Sequence, residues 1–174
     1  MVSNCPFSES NIITKVALRP HYTGNIIEAV KDQLNDTLLK YSEEIQGIPV
    51  AYSNLSLPKG MKYGHVLGAQ PWIHVDIKTT MVIFRPIRGL PLRGMVSQVS
   101  DSHVSLLIYG MFNASLSAHE LSKEYTFNYE NNIWESYERG DIHVNDNLDL
   151  VVQSFQHAHG VLSMNCTLTT GKTQ

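Results

Sequence analysis

The chain has 174 residues, 43% hydrophobic and 17% charged, with a formal charge of −3. This balance excludes a mostly disordered chain and leaves room for one mid-sized domain or two small ones. The slight acidity argues against a strongly basic nucleic-acid binder, and the two cysteines, Cys5 and Cys166, are too few for a disulfide scaffold. No apolar run approaches the ~18 residues of a membrane-spanning helix, and residues 1–10 lack the charged and apolar regions of a secretory signal, so a reducing, intracellular setting is expected.

The charge is divided unevenly. Residues 1–88 carry nine Lys or Arg and seven Asp or Glu, net +2, whereas residues 89–174 carry four basic residues against nine acids, net −5. Two halves of opposite sign are what two domains with different partners would show.

In chain order, residues 12–18 read as a strand, with Ile12, Ile13, Val16 and Leu18 apolar and Pro20 closing it. From Ile27, apolar or aromatic residues recur at Val30, Leu34, Leu38, Tyr41 and Ile45 in steps of three and four. This spacing predicts a single long helix of about five turns, started by Thr23 or Asn25 and stopped by Gly47 in a left-handed conformation. Residues 48–57 are apolar and extended. Residues 58–71 hold Gly60, Gly64 and Gly68 and predict a loop without regular structure. Residues 72–84 give the clearest strand: Ile73, Val75, Ile77, Thr79 and Met81 on one face, His74, Asp76, Lys78 and Thr80 on the other. Pro86, Gly89 and Pro91 break the chain where the charge changes sign, which places a boundary at about residue 88.

Beyond it, residues 92–100, 103–109, 111–116, 148–155 and 161–168 read as five short strands, the last two joined by a turn at 156–160. Residues 117–147 form a long connection between the third and fourth strands. Tyr125, Phe127 and Tyr129 alternate there, Asn131 and Asn132 can turn, and Ile133, Trp134 and Tyr137 return, which predicts an inserted hairpin. Five strands with that spacing match an OB barrel. The expected fold class is therefore α+β: a small α+β domain at 1–88 with one long helix, then an all-β five-stranded OB barrel at 89–174.

No catalytic constellation emerges. Thr170-Gly171-Lys172-Thr173 imitates the end of a phosphate-binding loop, but the glycine that motif needs five residues before Gly171 is Cys166. His157 and His159 lack further ligands nearby and read as solvated turn residues. Cys166 points inward on its strand and reads as a small buried hydrophobe. Asp76, Asp101, His65 and His74 sit in no arrangement of nucleophile, base and oxyanion donors. A non-enzyme, with no cofactor and no metal, is expected. On an OB face an aromatic residue can stack a base; Tyr109 is the candidate, with Arg93 and Lys123 as local cations, while Phe112 is expected in the core.

Three stretches carry a family resemblance. The first is Leu18-Arg19-Pro20-His21-Tyr22, followed by Leu38-Leu39-Lys40-Tyr41. The second is Gly47-Ile48-Pro49-Val50-Ala51-Tyr52. The third is Val82-Ile83-Phe84-Arg85-Pro86, leading to Leu92-Arg93-Gly94-Met95-Val96, with Ser102-His103-Val104 and Tyr109-Gly110-Met111-Phe112-Asn113-Ala114-Ser115. In this order they resemble the larger stalk subunit of DNA-directed RNA polymerases, and within that family the polymerase I version.

The resemblance implies a non-catalytic subunit that pairs with a smaller stalk subunit and docks on the polymerase core through residues 1–88. It implies an OB domain near nascent RNA, help in receiving the polymerase I initiation factor in ribosomal RNA transcription, and a place in the nucleus and nucleolus. Core docking is expected of Pro49, Tyr52, Lys59, Met61, Lys62 and Tyr63, the last four on the glycine-rich loop; RNA contact is expected of Arg93, Tyr109 and Lys123. The competing expectation is a free-standing OB-fold RNA-binding protein of RNA processing, which would need strong, salt-dependent affinity by the chain alone.

Overall fold

The structure is a computed structural model that describes residues 5–20, 24–58, 64–66, 68 and 71–169. The chain divides into two compact units, one of Phe7–Arg85 and one that takes up the chain again at Pro86.

The first unit is a strand-dominated layer with one helix on it. Strand β1 (Phe7–Leu18) pairs antiparallel along its whole length with β4 (Ile73–Phe84), whose other side is taken by β2 (Ile48–Ser56) and the two-residue β3 (His65–Val66). Period-two alternation places Val16 and Leu18 of β1 with Val75, Ile77, Met81 and Ile83 of β4 on one face, where helix α1 (Ile26–Thr37) covers them with Ala29, Val30 and Leu34. The opposite face is not wholly wet: Thr80 is buried there, accepting from Asn54 at 3.4 Å and donating to Asn11 at 2.9 Å. The glycine-rich stretch is not wholly irregular either, since β3 lies within it and pairs His65 with His74.

The helix is twelve residues, not the five turns that the spacing from Ile27 to Ile45 predicts. After Thr37 the chain turns extended at Leu38 and left-handed at Leu39 (φ 61°), whose N–H donates to the Pro49 carbonyl at 2.9 Å. A tight loop then brings Ser42 against Gly47. Ile45 still packs on the core, so its place in the three-and-four spacing is met by a turn rather than by helix. Ile27, expected on the buried stripe, is exposed. The predicted caps differ too. Asn25 occupies the N-cap position without a side-chain cap bond, and Thr23 lies outside the described residues. Gly47 is not left-handed. It is required by close approach: a Cβ there would lie 2.6 Å from Ile83 Cγ2 and 2.8 Å from the Phe84 carbonyl oxygen.

The second unit is built on a closed five-stranded barrel of β5 (Pro91–Val99), β6 (His103–Ile108), β7 (Phe112–Ser117), β10 (Asn147–Ala158) and β11 (Val161–Leu168), in spatial order β10-β11-β7-β6-β5. All pairings are antiparallel except β11 with β7, and β10 closes onto β5. This is the topology of an OB barrel. Its interior is the inward half of each alternating strand, with Val96, Leu106, Ile108, Leu116, Leu150 and Met164 at most 1% exposed. Phe112 and Cys166 are buried with them, as expected. Gly94 lines the wall where a Cβ would meet Ile108 Cδ1 at 2.7 Å. The last hairpin turns in two residues, His159 (φ 52°) and Gly160 (φ 78°), between paired Ala158 and Val161, tighter than the five-residue turn predicted.

The connection between β7 and β10 holds a four-residue helix α2 (Ala118–Leu121) and the predicted hairpin, β8 (Thr126–Asn128) with β9 (Ile133–Glu135). Trp134 is its anchor: the ring packs edge-on against Phe127 at 5.2 Å, and Nε1 donates to the Ser100 carbonyl at 2.9 Å, tying the hairpin to the turn between β5 and β6. Burial also raises the Tyr125 hydroxyl pKa above its ordinary value.

Candidate docking and nucleic-acid surfaces

Of the six residues expected to dock, two lie in the described structure. Pro49 is buried in β2 and acts through its carbonyl, which holds the turn after α1. Tyr52, two pleats along, is half-buried, and its hydroxyl donates to Asn35 Oδ1 at 3.0 Å, fastening β2 to the helix. Lys59, Met61, Lys62 and Tyr63 lie outside the described residues. Next to Pro49 a groove of about 300 Å³ runs between α1, β1 and the 40–45 turn, floored by Ile12, Val16, Leu34, Ile45 and Met81.

Of the three residues expected to meet RNA, two lie toward the same end of the barrel. The β5–β6 ladder ends with Gly94 opposite Ile108, and Arg93 and Tyr109 are the next residues beyond that last rung. Tyr109 is 48% exposed, so its ring stands out of the barrel wall instead of filling it. It opens the β6–β7 turn at φ 53°, followed by Gly110 at φ 71°, and Met111 N–H closes the turn on the Ile108 carbonyl at 3.1 Å. A left-handed conformation is uncommon for a tyrosine. Arg93 is exposed and lies 3.4 Å from Asp149 Oδ1 on β10, its ladder partner.

Lys123 is not part of this group. It follows α2, beyond the far end of β7, and six strand residues at ~3.3 Å each separate that end from the Tyr109 turn. It also pairs with Glu120 at 2.8 Å, and this hydrogen bond holds the Glu120 carboxyl below its ordinary pKa. Arg139 is likewise paired, 2.8 Å from Glu124.

The acidity of residues 89–174 is local. Glu120, Glu124, Glu130, Glu135, Glu138, Asp141 and Asp146 all lie on the β7–β10 connection against Lys123 and Arg139, a net −5 that accounts for the whole excess; elsewhere Arg93 and Lys172 balance Asp101 and Asp149. The five barrel strands themselves carry one charge of each sign, Arg93 and Asp149. The barrel's outer face over β6, β7 and β11 is lined by small uncharged hydrogen-bonding groups, among them Ser105, Asn113, Ser115 and Ser163 around a shallow groove of about 370 Å³. Ser115 Oγ donates to Asn165 Oδ1 at 3.1 Å, and Asn165 Nδ2 donates to Ser154 Oγ at 3.3 Å. Sequence reasoning did not single out this face. Its signal is the run of Ser and Asn at every second position of two strands, which reads as ordinary solvated surface until β7 and β11 are known to be neighbours.

Among the described residues no three His, Cys, Asp or Glu side chains gather as metal ligands. Cys166 is held as a thiol, its pKa pushed up to about 11 by burial.

Comparison with known proteins identifies residues 86–157 as matching the RPA43 OB domain in RNA Pol I. The match begins where the second unit begins and reaches the end of β10, covering four of the five barrel strands. The chain is 34% identical over 160 residues to the DNA-directed RNA polymerase I subunit RPA43 of Mus musculus, an alignment of 91% of this chain and 45% of the relative. It is 37% identical over 124 residues to the subunit of the same name from Homo sapiens, 71% of this chain and 36% of that one. To the corresponding subunit of Schizosaccharomyces pombe it is 25% identical over 158 residues, 88% of this chain and 90% of that one. The chain therefore spans less than half the length of the two mammalian relatives, but matches nearly all of the fission-yeast one.

Proposed function

We propose that this chain is a member of the RPA43 family of RNA polymerase I subunits and serves as the larger stalk subunit of that enzyme, a reading supported by the OB-domain match and by the similarity to RPA43 subunits across species. In this role it is non-catalytic, pairs with a smaller stalk subunit, docks on the polymerase core through its first unit, and supports initiation-factor recruitment in the nucleolus. The observation that carries the reading is the coincidence of the RPA43 OB match with a closed barrel of OB topology, within an alignment that runs across both units. The first-unit docking surface is taken to include the glycine-rich loop with Lys59, Met61, Lys62 and Tyr63, while Pro49 and Tyr52 act within the fold, Pro49 holding the turn after α1 and Tyr52 fastening β2 to the helix.

Contact with nascent RNA is assigned to the end of the barrel that carries Tyr109 and Arg93, continued by the uncharged Ser and Asn face. With so few free cations, little affinity comes from phosphate neutralisation, and stacking on Tyr109 supplies ~1–3 kcal/mol. RNA binding is accordingly weak for the chain alone and stronger in the stalk heterodimer. Co-expression with the smaller stalk subunit tests the pairing: a stable one-to-one complex that joins the core is expected, and two chains that never associate would overturn it.

A further inference from the structure

Strand β1 is an open edge. Along all twelve residues it pairs with β4 and with no other strand, and among the described residues no further backbone hydrogen bond reaches it. Sheet edges are usually blunted by proline, by a bulge, by shortness or by several lysines. β1 has no proline, no register shift, and a single lysine, Lys15. Its outward face carries Glu9, Asn11, Ile13 and Lys15, all exposed, with Ile13 at 67%. Neither Glu9 nor Lys15 takes part in an ion pair among the described residues.

We infer that this edge is a self-association surface, on which a second copy of the chain lays its own β1 antiparallel about a two-fold axis at Ile12. The charge pattern selects both the occupant and the register. In a two-fold strand pair, residue i lies opposite residue j of the other copy, and j opposite i, so the two must sit at equal distances from one central residue. Glu9 and Lys15 are each three residues from Ile12. They differ by an even number, so they share a face, and in this register each Glu9 meets the other copy's Lys15.

Moving the axis one residue either way removes both pairs: centred on Asn11, Glu9 meets Ile13; centred on Ile13, Glu9 meets Ala17. The Ile12 register also sets Asn11 opposite Ile13 and brings the two Ile13 side chains diagonally together across the axis, covering the exposed apolar group. Within each copy Lys15 lies beside Asp76 of β4, so the lysine stands between two carboxylates, while Glu9 lies beside uncharged Val82. A contact of one strand pair falls at the small end of specific interfaces, so the dimer is weak and reversible.

Sedimentation of the full chain should show a monomer–dimer equilibrium that shifts toward monomer with salt, because exposed ion pairs are screened. Glu9→Lys places lysine opposite lysine at both ends of the pair and should weaken dimerisation about tenfold. Adding Lys15→Glu restores opposite charges and should return the wild-type equilibrium. The melting temperature of the Glu9→Lys chain serves as the folding control and should not move. Hydrogen exchange of the unmodified chain reads the same surface without substitution: β1 amides should gain protection as concentration rises. A chain that stays monomeric at every concentration, a double swap that fails to restore association, or concentration-dependent protection that misses β1 would each overturn the proposal.

Discussion

Gly47→Ala is a demanding test of how the first unit is built. The added methyl would meet Ile83 Cγ2 at 2.6 Å, the Phe84 carbonyl oxygen at 2.8 Å and Arg85 Cγ at 2.9 Å. The arginine stem can swing away. The carbonyl cannot, because it belongs to the central strand β4, and Ile83 is wholly buried. Relief must therefore come from moving the Ser42–Gly47 turn, whose two backbone hydrogen bonds of 3.0 and 3.2 Å hold residue 47 in place. Overpacking of this kind costs ~1–3 kcal/mol, and the backbone clash puts this case at the upper end, about 2–3 kcal/mol. For a unit the size of residues 7–85 each kcal/mol moves the melting temperature by roughly 4–8 °C, so a loss of about 10–20 °C is expected. Hydrogen exchange over residues 73–84 reads the first unit separately from the barrel and should show the loss of protection there. Gly24→Ala is the control, since nothing lies within 4 Å of its added methyl. If Gly47→Ala is as silent as the control, the close-approach reasoning is wrong and the turn is freer than the geometry implies.

Further outcomes follow from the second unit and the loop. Tyr109→Ala should lower the RNA affinity of the stalk heterodimer about tenfold, measured by fluorescence anisotropy, with an unchanged melting temperature because the ring is exposed; lost stability with unchanged affinity would return Tyr109 to the core. Lys59→Glu with Lys62→Glu should weaken binding to the polymerase core in a pull-down while the smaller stalk partner stays bound. Alkylation of the native chain at pH 8 should label exposed Cys5 and spare buried Cys166, as read by intact mass. Because burial raises the Cys166 pKa from 9.0 to about 11, the folded chain keeps a proton that the unfolded chain releases between those values. Its contribution to stability is therefore full below pH 9 and declines as pH rises toward 11, measurable as a falling urea midpoint that Cys166→Ala would flatten.

The barrel was legible because its strands are short, alternate cleanly and are separated by turn residues, so burial on one face wrote itself into the sequence at Leu162, Met164 and Cys166. The hairpin was legible for the same reason, through Phe127 and Trp134. The helix length was not. Leu38, Tyr41 and Ile45 keep helical spacing, yet the chain leaves the helix through a left-handed leucine, a choice that local preference does not favour and that the Pro49 carbonyl compensates from 10 residues away. Gly47 was read as a helix stop because glycine's two uses, positive φ and close approach, look alike in sequence. For the candidate sites, spacing placed Tyr109 at its turn, but it said nothing about Lys123 lying beyond the other end of β7, or about the acids crowding onto one connection. Those are facts of three-dimensional neighbourhood, which a one-dimensional charge count averages away.

The central claim is that this chain works within RNA polymerase I. Affinity purification of the full chain from nuclear extract, followed by mass spectrometry of the co-purifying proteins, tests it most directly. Polymerase I subunits in near-equal amounts, together with the smaller stalk subunit, are the predicted result. Recovery of RNA-processing factors without polymerase subunits would contradict it in favour of a free-standing RNA-binding protein. Recovery of polymerase III subunits would contradict the assignment to polymerase I.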